Sequence, residues 1–355
     1  MLTPCYSSYD DALDAMTPYG IALENGNTNH APMVAEALCA VGRPEMVMPW
    51  LARYRDRMRP RPPASEPIRS DDWRDALGHR ERFTDWALFF RNEIEQAAWP
   101  TVLDHWVERL APGFCAAATH GVIRVGHAVR GLAEAETPNR CRELADALAS
   151  WAATWQRLPE DNRRLPETLA LREAIMRVPT VPPDQRRPGN IVTALAILED
   201  MPWFAPIIGW VATERPIASQ IAEMTELFAR VYLANARDIP TTIAFIHAVT
   251  SLAALGHIVP HISEGTARIA LRYAWQSGCA LYACYGRSTA FTKSVEPCEK
   301  NERQLIDGAI ENGDEHVIKF TEACLGRHAI AASVAYYAAI DHVAGMIRPR
   351  QRANP

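Results

Sequence analysis

Lysine is nearly absent from this chain. Of 37 basic side chains only Lys293, Lys300 and Lys319 are lysine, and the rest are arginine. A lysine kept in so arginine-rich a sequence raises the question of what a guanidinium could not do there. An excess of positive charge is missing too. The net charge is -5 and the pI about 6.1. No global field exists to draw in nucleic acid or an anionic membrane surface, and we expect neither partner. Eight cysteines run from Cys5 to Cys324 without a Cys-x-x-Cys pair. In a long chain without a secretory signal they read as reduced thiols, several of them in the core. Met1 to Asp14 has no basic start followed by an apolar run, so no signal peptide is expected. No stretch reads as reaching the roughly 18 uncharged apolar residues that a membrane span needs. The expected location is the cytosol.

Several motifs are also missing. The chain has no G-x-G-x-x-G, no P-loop, no G-x-S-x-G elbow and no H-E-x-x-H. It has no Glu-x-x-His either, which disfavours a di-iron carboxylate bundle. The lone His79-x-Glu81 lies in a charged run beside a loop and is a weak signal for a facial triad. No repeat of fixed period is present.

What is present is helical periodicity in a chain of 355 residues, 48% apolar, enough for a substantial core. Apolar residues recur every three or four positions in Ala31–Val41, Phe83–Ala97, Cys115–Leu132, Arg140–Gln156 and Ile217–Ala236. They do so again in Thr241–Leu255, Ser263–Tyr285, Asp314–Leu325 and Ile330–Ile347. No long alternating stretch predicts a sheet. The expected fold class is all-α, a single large multi-helix domain over residues 1–347 with a metal site in its core, followed by a flexible tail at 348–355. The 26 prolines punctuate it. Pro240 falls in the first turn of a helix, and Leu158–Asn190 is broken repeatedly. That stretch reads as a surface connection rather than a domain boundary, because chemically suggestive residues lie on both sides of it.

Those residues are histidines. His30, His120, His247 and His316 sit in apolar helical context, where a bare imidazole is costly unless it is paired. Taken singly, each reads as a hydrogen-bonded core residue. Four of them on separate helices also fit a metal site built from inward-facing side chains. His120, Arg124 and His127 share one helix face and could line a cavity, with Arg124 or His127 holding a phenolate or carboxylate. Equally, Arg124 could reach solvent beside a surface histidine. Lys319 shares a face with His316. Its default is to pair with Glu315 or Glu322 or to extend to solvent. Burial would instead lower its pKa and let the free amine capture carbon dioxide as a carbamate, a ligand that arginine cannot form. His257 and His261 rank lower, because Pro260 interrupts their spacing.

At these residues the sequence resembles the questin oxidase-like family. The matching segments are Asn29-His30 before Ala37-Leu38, His120-Gly-Val-Ile-Arg-Val-Gly126, His247-Ala-Val-Thr250 and Asp314-Glu-His-Val-Ile-Lys319. The resemblance implies a largely helical non-haem iron oxygenase, by expectation a dioxygenase, that acts on a small aromatic polyketide of anthraquinone or quinol type. It implies iron(II) held by His30, His120, His247, His316 and a carboxylated Lys319, with dioxygen as co-substrate. It also leaves room for an NADPH-dependent Baeyer–Villiger-type monooxygenase without catalytic iron. A third reading is a non-catalytic protein that binds an aromatic metabolite. Asp314 and Asn29 are candidate partners for imidazole N–H groups. Trp203, Phe204, Trp210, Trp275, Tyr282 and Tyr285 are candidates for an aromatic wall. Two departures from the family pattern, Ala31-Pro32-Met33-Val34 without a second histidine and Arg124 in place of one, bear on the substrate rather than on the ligands.

Overall fold

The computed structural model describes residues 3–161, 168–287 and 289–348. Apart from Arg348, the expected tail lies outside the described residues, and so do residues 162–167 of the proline-rich stretch.

The fold is mainly α-helical. In chain order come α1 (Tyr9–Met16), β1 (Tyr19–Leu23), α2 (Ala31–Ala40), α3 (Val47–Tyr54) and β2 (Met58–Pro60). Then follow α4 (Phe83–Gln96), α5 (Trp99–Leu110), α6 (His120–Glu134), α7 (Pro138–Ala153), α8 (Leu171–Arg177) and α9 (Ile191–Leu195). The last six are α10 (Ile217–Asn235), α11 (Ile239–Ile258), α12 (Glu264–Tyr285), α13 (Glu302–Asn312), α14 (Glu315–Ile330) and α15 (Val334–Met346). The two short strands pair antiparallel, Tyr19 opposite Pro60 and Leu23 opposite Met58. Helices α1, α3, α5, α8, α9 and α13 were not anticipated. None exceeds twelve residues, so each offers at most about three turns of apolar spacing.

Polar residues start the longer helices. The side chains of Thr137, Asp238, Ser263, Asn301 and Asp314 each accept a backbone N–H in the first turn of α7, α11, α12, α13 and α14. Asp238 and Thr241 form a reciprocal capping box around Pro240. Helix α11 is apolar on all sides, which in a water-exposed protein requires a central position. It packs against α6, α10, α12 and α14. Here the expectation about membrane spans needs correcting. Ile239–His261 is 23 residues long and apolar enough to cross a membrane by length and composition. Its window is 78% buried inside the protein, so this helix serves as the core axis.

A second correction concerns Cys115–Leu132. Periodicity predicts one helix, yet α6 begins only at His120. Ala117, Ala118 and Thr119 have φ of 46°, 60° and 69°, the left-handed region, which costs L-residues roughly 1–2 kcal/mol each. Apolar spacing does not register a backbone reversal of this kind. The main core joins α4–α7 to α10–α15 and includes Leu171, Ile175 and Val181 from the proline-rich stretch. A smaller core lies under α1–α3.

Close helix contacts account for the glycines around His120. A Cβ on Gly121 would lie 2.7 Å from the Trp151 indole, and one on Gly126 would lie 2.6–2.7 Å from Ala254, backbone included. Helix propensity alone favours alanine over glycine by about 1 kcal/mol. We therefore expect Gly126→Ala to lose about 2 kcal/mol of stability through overpacking. Gly308→Ala in α13, where nothing lies within 4 Å of the added Cβ, should gain up to about 1 kcal/mol. Urea unfolding of both variants measures the difference.

Candidate metal centre

Each of the four histidines is placed by its own local device. Strand β1 runs into a tight turn at Gly26, where φ is 82°. The Asn29 backbone N–H returns to the Ile21 carbonyl at 2.9 Å. Asn29 does not reach an imidazole. Its side chain bonds the Gly20 carbonyl and the Ala31 N–H, which secures the start of α2 and sets His30 immediately before it. The left-handed turn Ala117–Thr119 makes His120 the first residue of α6. His316 is the second residue of α14, behind the Asp314 cap. His247 is carried in the interior of α11.

The four rings form a closed circuit. Centroids are 4.5 Å apart for His30–His120, 4.5 Å for His120–His247, 5.9 Å for His247–His316 and 4.7 Å for His30–His316. His120 Nδ1 lies 2.5 Å from the Ala117 carbonyl, and His247 Nδ1 lies 2.7 Å from the Ile243 carbonyl. A carbonyl only accepts, so both Nδ1 atoms carry the proton and both Nε2 atoms are lone pairs. Those Nε2 atoms face each other at 3.1 Å. Two lone pairs at that distance repel unless a cation lies between them. Nitrogen donors about 2.1 Å from a metal and at right angles to each other stand about 3 Å apart. His316 Nδ1 donates to Asp314 at 3.0 Å, which orients the third ring the same way. His30 Nδ1 is buried and has no hydrogen-bond partner among the described residues. The residues present thus fit a metal ion: a ring of four imidazoles, with Nδ1 of His120, His247 and His316 each held by a protein acceptor.

The electrostatics agree. Burial, and then the charges of Lys319 and the neighbouring rings, push His30 and His120 well below the ordinary histidine range. His247 is pushed the same way, by burial first and then by His316 and Lys319. Neutral imidazole is the form that binds metals. Lys319 is 2% exposed, and burial brings its pKa down to about 8. Its Nζ donates to the Met33 sulfur at 3.8 Å, and it forms no ion pair with Glu322. Glu315 is one carboxylate that the sequence reading did not single out for the site. One oxygen of Glu315 and one nitrogen each of His30 and His316 lie within 4.8 Å of one another, and Glu315 also meets Arg57 at 3.4 Å. The Asp314-Glu-His run was the signal available for it.

A cavity of about 600 Å³ opens onto His30, His120, His247, His316 and Glu315. Trp155, Tyr285, Ile191 and Ile243 contribute walls. Of the anticipated aromatic residues only Tyr285 lines it. Trp275 and Phe204 are fully buried core, and the Trp275 indole donates to the Ile207 carbonyl.

Arg124 and His127 do not line this cavity. Arg124 is buried and engages Glu143 through Nε at 2.7 Å and Nη2 at 2.8 Å. His127 bonds Glu36 at 2.6 Å. They share a helix with His120, but buried carboxylates on α7 and α2 claim them, because a buried charge requires a partner. His79 and Glu81 pair with each other at 3.2 Å in an exposed turn, away from the imidazoles.

A family model described as Questin oxidase-like matches residues 28–324. No curated protein matches the chain.

The pairing of Arg124 predicts a stability effect. Arg124→Leu leaves Glu143 buried and uncompensated and should cost about 3–5 kcal/mol. Adding Glu143→Leu should recover most of that loss. Denaturant unfolding of the two variants is the check, and equal destabilisation by both would contradict the pairing.

Proposed function

The chain belongs to the questin oxidase-like family, and from that membership we propose that it is an iron-dependent oxygenase that oxidises or cleaves an aromatic polyketide. The observation that carries the iron is the inward pair of Nε2 lone pairs of His120 and His247, 3.1 Å apart within a ring of four imidazoles. His30, His120, His247 and His316 would hold the metal, with Lys319 as the anionic ligand. Redox chemistry with dioxygen, which no side chain in the cavity supplies, would come from iron(II).

The remaining work falls to the chain itself. Burial brings the Lys319 pKa down to about 8 against the pull of Glu315 and Asp314, so part of the amine is neutral near neutral pH. The amine nitrogen can add to carbon dioxide and release one proton, leaving a carbamate oxygen donor. Helices α2, α6 and α14 all start at the ring, so the positive ends of three helix dipoles point at it. That field disfavours a bare cation and favours an anionic group beside it, and a carbamate answers this need. Asp314 keeps the proton of His316 on Nδ1. Trp155, Tyr285 and the isoleucines offer flat and apolar surface for an aromatic ring and limit water beside the imidazoles. The proposed substrate is an electron-rich anthraquinone or quinol, with dioxygen as co-substrate.

Metal analysis of protein purified without added metal tests the reading. We expect about one iron per chain, and its loss in His120→Ala and His247→Ala. Lys319→Ala should lose metal and regain it with millimolar formate or acetate, whereas Lys319→Arg should not regain it. Protein that neither contains nor rebinds stoichiometric metal would sink the proposal. Turnover driven by NADPH in iron-free protein would point instead to the Baeyer–Villiger-type reaction.

A further inference from the structure

The cavity has histidines at one end and a single fixed cation elsewhere. Among its lining residues Arg80 is the only arginine or lysine. It stands in the turn Arg80–Arg82 that leads into α4. Its neighbours are committed: His79 pairs with Glu81, and Arg82 pairs with Glu66 and Asp85. Arg80 forms no ion pair among the described residues. Arg80 is exposed, and Arg59, of the same sign, is a charged neighbour that acts on it. Its single hydrogen bond runs from Nη1 to the Gly26 carbonyl and is long, at 3.4 Å. The Nε–Nη2 edge has no protein acceptor among the described residues and is open to solvent or to a ligand. That edge presents two parallel N–H donors, the pattern that a carboxylate fills with both oxygens.

Other parts of the lining are apolar at the surface. Val192 and Ile239 are 38% and 50% exposed, two of the few large hydrophobic side chains left open to water. Scattered exposed apolar residues need no explanation, but two that line one cavity together suit a flat apolar body. The opening thus combines an unpaired guanidinium with apolar side chains, and the imidazole ring adds nitrogen donors.

We infer that Arg80 anchors a carboxylate carried by the aromatic substrate, so that this enzyme acts on a polycyclic aromatic acid. The inference rests on the reading of the cavity as an aromatic-substrate site and adds the charge of that substrate. It gives Arg80 the anion-holding role for which Arg124 is unavailable. Arg80 is a specificity residue: it selects and orients the substrate and takes no part in the redox step.

Binding of two probes to the purified protein tests this, one an anthraquinone carboxylate and the other the corresponding neutral carboxamide. Quenching of tryptophan fluorescence reports binding, since Trp155 is in the wall. Arg80→Gln should weaken the carboxylate by about tenfold or more and the carboxamide by less than about twofold. Arg80→Lys, which keeps the charge but not the fork, should fall between. Added salt should weaken the carboxylate alone. Because the carboxamide reports an intact cavity in each variant, a folding defect would appear as loss of both probes. Unchanged carboxylate affinity in Arg80→Gln, or equal weakening of both probes, overturns the anchor and leaves the aromatic site standing. If neither probe binds the unaltered protein, the aromatic reading and the anchor fall together.

Discussion

A carboxylate can remain inside a helical core only if positive partners replace the water it has lost. Glu36 on α2 is 0% exposed. Burial works against its charge, but the Arg130 guanidinium and the His127 ring hold its pKa well below the usual carboxylate range. Arg130 Nε donates to Glu36 at 2.7 Å, and the same guanidinium meets Glu322 on α14 and His257 on α11. One arginine therefore ties together the four helices that carry the candidate ligands. His30 lies six residues before Glu36, His120 seven before His127 and His316 six before Glu322. Six or seven residues are about two helical turns, or about 10 Å. Fixing the charged layer thus also fixes the layer of histidines.

The histidine layer has a different electrostatic character. Three helices begin there, and their unpaired backbone N–H groups bring partial positive charge to the ring. Burial, with Lys319 and the neighbouring rings, pushes His30, His120 and His247 toward the neutral form. The left-handed turn before His120 is the most costly local feature. Its return is geometric, because the Ala117 carbonyl takes the His120 Nδ1 proton and turns Nε2 toward His247. Strain of this kind persists where the surroundings hold it. Here Trp151 donates to the Gly113 carbonyl at 2.9 Å and packs against Gly121, on either side of the turn.

Arg124 and Arg80 show how one side-chain type divides by context. Charge and spacing leave Arg124 open to functional or structural use and do not single out Arg80. Arg124 meets Glu143 across a helix interface and is neutralised there, at 6% exposure. Arg80 is exposed at the cavity, and among the described residues it meets a carbonyl and a like charge. Which arginine is left for a ligand depends on which carboxylates are within reach, and carboxylates distant in sequence set that.

The sequence alone determined the helical class and the approximate course of most of the long helices, and it singled out the four histidines and Lys319 as candidates. Apolar periodicity reports which face of a helix is buried, and motif order reports family membership, both from local information. The tertiary structure decided what these residues share. It closed His30, His120, His247 and His316 into one ring, broke the expected helix at Ala117–Thr119, moved Arg124 into a buried ion pair and His127 onto a hydrogen bond with Glu36, and brought Arg80 and Trp155 to the cavity. The apolar run Ile239–His261 shows the same division. Its composition allows a membrane span or a core axis, and only the helices packed around it decide for the core. Partner choice across helices depends on distances between residues as far apart in sequence as Glu36 and His127, and no local pattern encodes those distances.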